Sequence, residues 1–217
     1  VFAGHFAPAF VGKTADRDIP LWVLVFAAQW LDLLWALLLL LGIERIAIVP
    51  GITAANPLDL IYAPFSHSLA AAGIWALVAS VAYGNFVRYG RLRGAPLVVG
   101  LVVLAHWCLD LLVHRPDLPL VGNSAKVGLG LWAYPMPALF LELGLLFGAL
   151  WWYYRRARPS TRRLRYGLVA LTCVLAAIQI AAACGPPPPD TMVVAASGAV
   201  TPLVVTAVVW WLERTTS

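Results

Sequence analysis

Residues 105–120, AHWCLDLLVHRPDLPL, constrain this chain more than any other stretch. They set two histidines and two aspartates in and just after a segment apolar enough to span a bilayer. On a helix, at about 100° per residue, His106, Asp110 and His114 fall within roughly 80° of one face. Pro116 disfavours helix at Arg115, which ends the span at His114. Ionisable side chains are expensive in hydrocarbon, so this polar face must line a cavity, a metal or a partner. Two imidazoles and one carboxylate on one face make half of a hard-metal or zinc site.

The rest of the composition supports a membrane setting. The chain is 62% hydrophobic and 12% charged, with a mean hydropathy of +0.84, which describes an integral membrane protein and not a soluble globule. Six stretches are long enough to cross as helices: 21–43, 66–87, 96–114, 131–154, 164–183 and 191–212. The expected fold is therefore all-α and polytopic, one integral domain over residues 1–217 with about six transmembrane helices. The start, VFAGHFAPAF, lacks the basic opening of a secretory signal and is expected to be mature structure. The three cysteines, scattered over apolar runs, are expected to be buried free thiols and no disulfide framework.

Charge gives the orientation. Twelve of the fifteen Lys and Arg residues fall in the links 88–94 and 155–165 or at Lys13, Arg17 and Arg214, which places that side and both termini in the cytoplasm. The loops 44–65, 115–130 and 184–190 are then expected outside a bacterial-type inner membrane. The net charge of +5 reports this topology and not a nucleic-acid partner. Trp22, Trp151, Trp152, Tyr153, Tyr154, Trp210 and Trp211 gather at the same cytoplasmic ends as interfacial anchors. GPPPPD (185–190) is expected to be a stiff turn joining the last two spans, and Pro202 to kink the last one. No internal repeat, nucleotide loop or nucleophile elbow is present in the sequence.

Further ionisable residues point the same way. Asp32 lies deep in the first span with Gln29 three residues before it, too deep to face lipid. Ser66 is expected to cap the second span and His67 to sit in its first turn, where a helix N-terminus favours the neutral imidazole that binds metal. His5 lies in an apolar segment, 1–12, too short to span. That segment either lies on the inner surface or dips in as a half-helix beside the first span, which would lift His5 towards Asp32. All four histidines then belong to one expected cluster. If the second and third spans cross fully, His67 and His106 lie at different depths, so the helices must tilt or sink for one ion to be shared.

The ordered pieces GHF, QWLD, SHSL and HWCLD resemble the YdjM-type family of membrane-bound metal-dependent hydrolases over the first 120 or so residues. The resemblance implies metal ligation by His5, Asp32, His67, His106 and Asp110. More distantly, the order is similar to that of the zinc-dependent phospholipase C ligands, which implies phosphoester chemistry. The chain departs from the family at QWLD, where Leu31 and Leu34 stand in place of a further Pro and Asp, and Glu142 has no matching His. One ion, or two at most, is therefore expected, with zinc first and manganese or iron also suited to the ligands.

The leading expectation is a hydrolase of a phosphoester on a lipid or lipid-linked substrate at the outer leaflet. His114 would act as proton donor, Asp117 would orient the reacting groups, and Arg115 would bind phosphate. Two other classes remain open: a proton-coupled or solute transporter routed through Asp32, His106 and Asp110, and a non-catalytic accessory subunit of a larger membrane complex.

Overall fold

The computed structural model describes residues 2–86, 94–159 and 161–214. Most of the basic link expected at 88–94 lies outside the described residues, as do Val1 and Ser160. The protein is an all-α polytopic membrane fold carrying one small hairpin. A 3₁₀ turn (Ala3–Phe6) leads into α1 (Ala7–Ala15), which packs on α2, α5 and α6 with Ala3, Phe6, Ala9 and Phe10 buried. Of the two placements open for this segment, the inserted half-helix is the one adopted. Its small and aromatic residues fill the core of the bundle.

The first span is two helices, α2 (Leu21–Ala28) and α3 (Trp30–Leu40), bent by 49° at Gln29. It is followed by an element absent from the sequence expectation, an antiparallel pair β1 (Arg45–Ile48) and β2 (Leu58–Tyr62) with Ile46 opposite Leu60 and Ile48 opposite Leu58. Five further helices are each long and apolar enough to cross a bilayer: α4 (Leu69–Phe86), α5 (Ala95–Val113), α6 (Pro135–Arg156), α7 (Arg162–Cys184) and α8 (Thr191–Glu213). With the bent pair counted as one, the described residues hold six spans. Ile74, Leu77, Val81, Phe140, Val174 and Leu203 point outward and exposed, as a lipid-facing surface requires. The three cysteines are free as expected but sit on this exposed surface and not in the core.

Several local contacts hold the helices together. Thr161 and Asp190 cap α7 and α8 by accepting from the amides of Leu164 (3.1 Å) and Val193 (2.8 Å). Glu213, at the far end of α8, accepts from the amides of Leu21 (2.8 Å) and Trp22 (2.9 Å), so the last helix caps the second. At that end Arg155, Arg156, Arg163 and Arg214 lie over Trp151, Trp152, Trp211 and Trp210. The helices α4 and α5 meet at Gly100, where an added Cβ would stand 2.1 Å from Ser80 Oγ and 2.7 Å from the Ala76 carbonyl oxygen.

That approach sets the position of α5, which carries His106 and Asp110. Gly100→Val should therefore lower stability by about 1–3 kcal/mol through overpacking. The check is a fall in melting temperature of the detergent-purified protein, with Gly144→Val, at a site with open space around it, as the comparison.

Candidate metal centre

Four separate segments bring five side chains to one point. His5 comes from the N-terminal turn, Asp32 from the first turn of α3, His67 from the segment before α4, and His106 with Asp110 from α5. His5 Nδ1 lies 3.4 Å from Asp32 Oδ2, and His5 Nε2 lies 3.1 Å from Asp110 Oδ1. His67 Nε2 stands 3.5 Å from Asp32 Oδ1 and 3.6 Å from Asp110 Oδ2. His106 Nε2 stands 3.4 Å from the same two oxygens. The rings of His5 and His106 stack at 3.6 Å, an arrangement that disfavours two imidazolium ions. His5, His67, His106 and Asp110 are buried, while Asp32 is 20% exposed towards the cavity described below.

The second nitrogen of each imidazole decides what the first can do. His106 Nδ1 lies 2.9 Å from the Ala28 carbonyl oxygen, which only accepts, so Nδ1 carries a proton, and in the neutral imidazole Nε2 presents a lone pair. The Ala28 carbonyl would serve the amide of Asp32 in an unbroken helix; the bend at Gln29 releases it, and a side chain of another helix takes the place. For His67, Ser66 Oγ donates to Glu44 Oε2 at 2.5 Å and accepts from His67 Nδ1 at 2.8 Å, which in the neutral imidazole again leaves Nε2 with its lone pair. Glu44 is itself fixed by the amides of Phe65 (2.8 Å) and Ser66 (3.0 Å).

The Nε2 atoms of two imidazoles thus face carboxylate oxygens across 3.4–3.6 Å. Charge-assisted hydrogen bonds are shorter, about 2.7–2.9 Å. The spacing instead suits the edge between two ligands of one four-coordinate ion, about 3.3–3.6 Å for bonds near 2.0–2.2 Å. Among the described residues, His106 Nε2 and both nitrogens of His5 are buried without a hydrogen-bond partner, so His106 Nε2 and whichever His5 nitrogen carries no proton are available to a cation. Two triads meet the requirement, His5–Asp32–His106 and His67–His106–Asp110, and His106 belongs to both. The residues present therefore fit a bound metal ion.

Depth is reconciled by the chain before α4. Trp107 Nε1 donates to the His67 carbonyl at 2.9 Å, which brings His67 level with His106. The helix begins only at Leu69, later than the sequence suggests, and its cap is Ser68, which accepts from the Ala71 amide at 3.1 Å. Ser66 is thereby spared for Glu44 and His67. The carbonyls of Pro119 and Leu120 accept from the amides of Leu69 and Ala70, tying the loop after α5 to the start of α4.

His114, Asp117 and Arg115 lie together beside the cluster, and of the three His114 lines the cavity. His114 Nδ1 donates to Asp117 Oδ1 at 2.9 Å, and its Nε2 lies 3.9 Å from Asp110 Oδ1, outside both triads. Just past the end of α5, burial pushes the His114 imidazole below the usual histidine range, against the opposing pull of Asp117 and Asp110. Arg115 pairs with Asp59 of β2 and approaches Asp117 Oδ2 at 3.5 Å; it is not among the residues lining the cavity. The loop closes on this corner through Gly128, where a Cβ would stand 2.1 Å from the Arg115 carbonyl oxygen. Glu142, which the sequence offers only as half of a further ligand pair, accepts from the amides of Phe2 (3.0 Å) and Gly4 (2.9 Å) and so holds the turn that presents His5.

Above the cluster lies a cavity of about 480 Å³, with Asp32, His67, Asp110 and His114 among its lining. It opens at the end of the bundle carrying the hairpin and the 185–190 turn, since Pro57, Leu58, Pro186 and Pro188 also line it. No protein-family model, curated protein or solved structure matches the chain. The chemistry of the cluster rests on its own atoms.

Sequence reasoning missed Glu44, Ser66 as a relay, and the Ala28 carbonyl. The only signal for Glu44 was an acidic residue just past a span with no partner nearby in sequence. Ser66→Ala and Glu44→Gln should each weaken metal binding by about 10–100-fold while helical content stays unchanged. Competition with a chromogenic chelator, beside circular dichroism of the same samples, measures both.

Proposed function

We propose that this protein is a membrane-embedded metal-dependent hydrolase acting on a phosphoester of a lipid or lipid-linked compound at the outer leaflet. The setting is a bacterial-type inner membrane with both termini cytoplasmic, in line with the resemblance to the YdjM-type family. One observation carries the proposal: imidazole lone pairs, locked by hydrogen bonds on their other nitrogens, converge with two aspartates on the floor of a cavity. Imidazole with carboxylate suits zinc first, and manganese or iron next.

His5, Asp32, His67, His106 and Asp110 are the ligands, and Ala28, Ser66 and Glu44 hold two of them in the right tautomer. A divalent ion held there would supply a water of lowered pKa and a Lewis acid for a phosphoryl group. His114 borders the cavity and moves a proton at Nε2, with Nδ1 held by Asp117. Arg115, tied to Asp59 and Asp117, reaches a phosphate only by exchanging one of these partners. Burial of four of the five side chains limits the water that reaches the cluster.

Elemental analysis of the detergent-purified protein should find stoichiometric zinc, manganese or iron. His106→Ala and Asp110→Ala should lose both the metal and nearly all metal-dependent cleavage of phosphoester substrates, yet still insert in the membrane. Equal metal content in parent and variants would sink the site, and a metal-loaded protein with no turnover across phosphoesters would turn the assignment towards an accessory subunit.

A further inference from the structure

Gln29 stands at the bend between α2 and α3, 2% exposed, and lines the cavity three residues before Asp32. Among the described residues its side-chain Nε2 has no hydrogen-bond partner. Leaving a buried amide donor unpaired costs about 1–3 kcal/mol, a loss that a ligand oxygen would recover. The hydrolase assignment does not use this group.

Leading away from the cluster, the cavity wall is built from Ile178 and Ala182 of α7 and Val194, Gly198 and Pro202 of α8. The residues that α7 and α8 contribute to the lining include no charged side chain. Small residues keep that side of the cavity wide, and Gly198 also lets α8 approach α3, where an added Cβ would sit 3.3 Å from Ala36 Cβ. The site is thus amphipathic, with ionisable groups and a spare amide donor at one end and a wall of mostly apolar residues, interrupted by Gln179, Ser197 and Thr201, along the other. At about 480 Å³ it lies within the usual range of small-molecule sites, about 300–1,000 Å³.

We propose that this cavity seats a membrane amphiphile with a phosphoryl head and a single alkyl or isoprenoid chain. A head oxygen accepts from Gln29 Nε2 beside Asp32, and the chain runs along the wall of α7 and α8. The phosphoryl identity of the head rests on the hydrolase assignment; the chain site and the Gln29 contact rest on the cavity itself. A single chain fits because the whole cavity, about 480 Å³, has the volume of one small molecule and not of a two-chain lipid. Such a ligand enters through the mouth of the cavity beside Pro57, Leu58, Pro186 and Pro188.

Hexadecylphosphonate, whose carbon–phosphorus bond resists hydrolysis, serves as the probe, with methylphosphonate as the chainless control. Binding is measured on the zinc-supplemented protein in detergent. Hexadecylphosphonate should bind the parent more than about tenfold tighter than methylphosphonate does, because its chain buries apolar surface. Ala182→Trp should remove about tenfold of the hexadecylphosphonate affinity by filling the chain site, leaving metal content and methylphosphonate affinity unchanged. Ile178→Trp is the second blocking variant should the first not fold, since both side chains are exposed and neither supports the core. Gln29→Leu should weaken both phosphonates by about tenfold.

Equal hexadecylphosphonate binding by parent, blocking variant and Gln29→Leu overturns the proposal, as does methylphosphonate binding as tightly as hexadecylphosphonate. The two assignments also separate. A protein that binds the long probe as described but cleaves no phosphoester keeps the lipid site and loses the hydrolase. A protein that cleaves soluble phosphoesters, while Ala182→Trp leaves the long probe unaffected, keeps the hydrolase and loses the chain site.

Discussion

Two aspartates held inside a membrane bundle, facing the lone pairs of imidazoles, are the constraint on which the rest of this structure depends. A buried carboxylate must be neutralised or paired, and hydrocarbon raises the cost of failing to do so. Among the groups that face them are the Nε2 atoms of His67 and His106, each ring with its Nδ1 proton held on the far side. Such a set is organised for a cation, and most of the unusual features of the fold serve to assemble it.

The bend at Gln29 is the first of these. An unbroken first span would spend the Ala28 carbonyl within its own ladder, and His106 would lose the acceptor that fixes its tautomer. The hairpin and its flanking residues are the second. Glu44 precedes β1 and Ser66 follows β2, so pairing the two strands brings a carboxylate and a hydroxyl together behind His67. The inserted N-terminal turn is the third, and Glu142 of α6 holds it by two amides so that His5 completes the set. At the opposite end of the bundle, stacked Arg and Trp side chains and the cap that Glu213 gives α2 tie the helices with no part in the site.

Much of the fold is legible in the sequence because span length and apolarity are local properties. Each of the five single spans lies within a few residues of the stretch that its hydropathy marks out. The hairpin escapes such a reading: RIAI and LDLIY are short, and their pairing is settled by the groups around them and not by a long alternating pattern. Burial of the cysteines was misjudged for a related reason. In a lipid-facing bundle an apolar position can be outward as readily as inward, and Cys108, Cys173 and Cys184 all turn outward.

The same division holds at the candidate site. Residue type and spacing alone bring His106 and Asp110 to one face of one helix, and the scarcity of ionisable groups in the spans singles out His5, Asp32 and His67 beside them. Only the tertiary structure decides which nitrogen each imidazole presents. That choice rests on an acceptor 78 residues from His106 and on a carboxylate 22 residues from Ser66, and neither contact has a local sequence signature. Helical periodicity acts over a few residues and so reads out faces. A hydrogen bond between distant segments depends on where the whole bundle sets them, and the form in which each histidine meets the centre of the cluster is therefore a property of the fold.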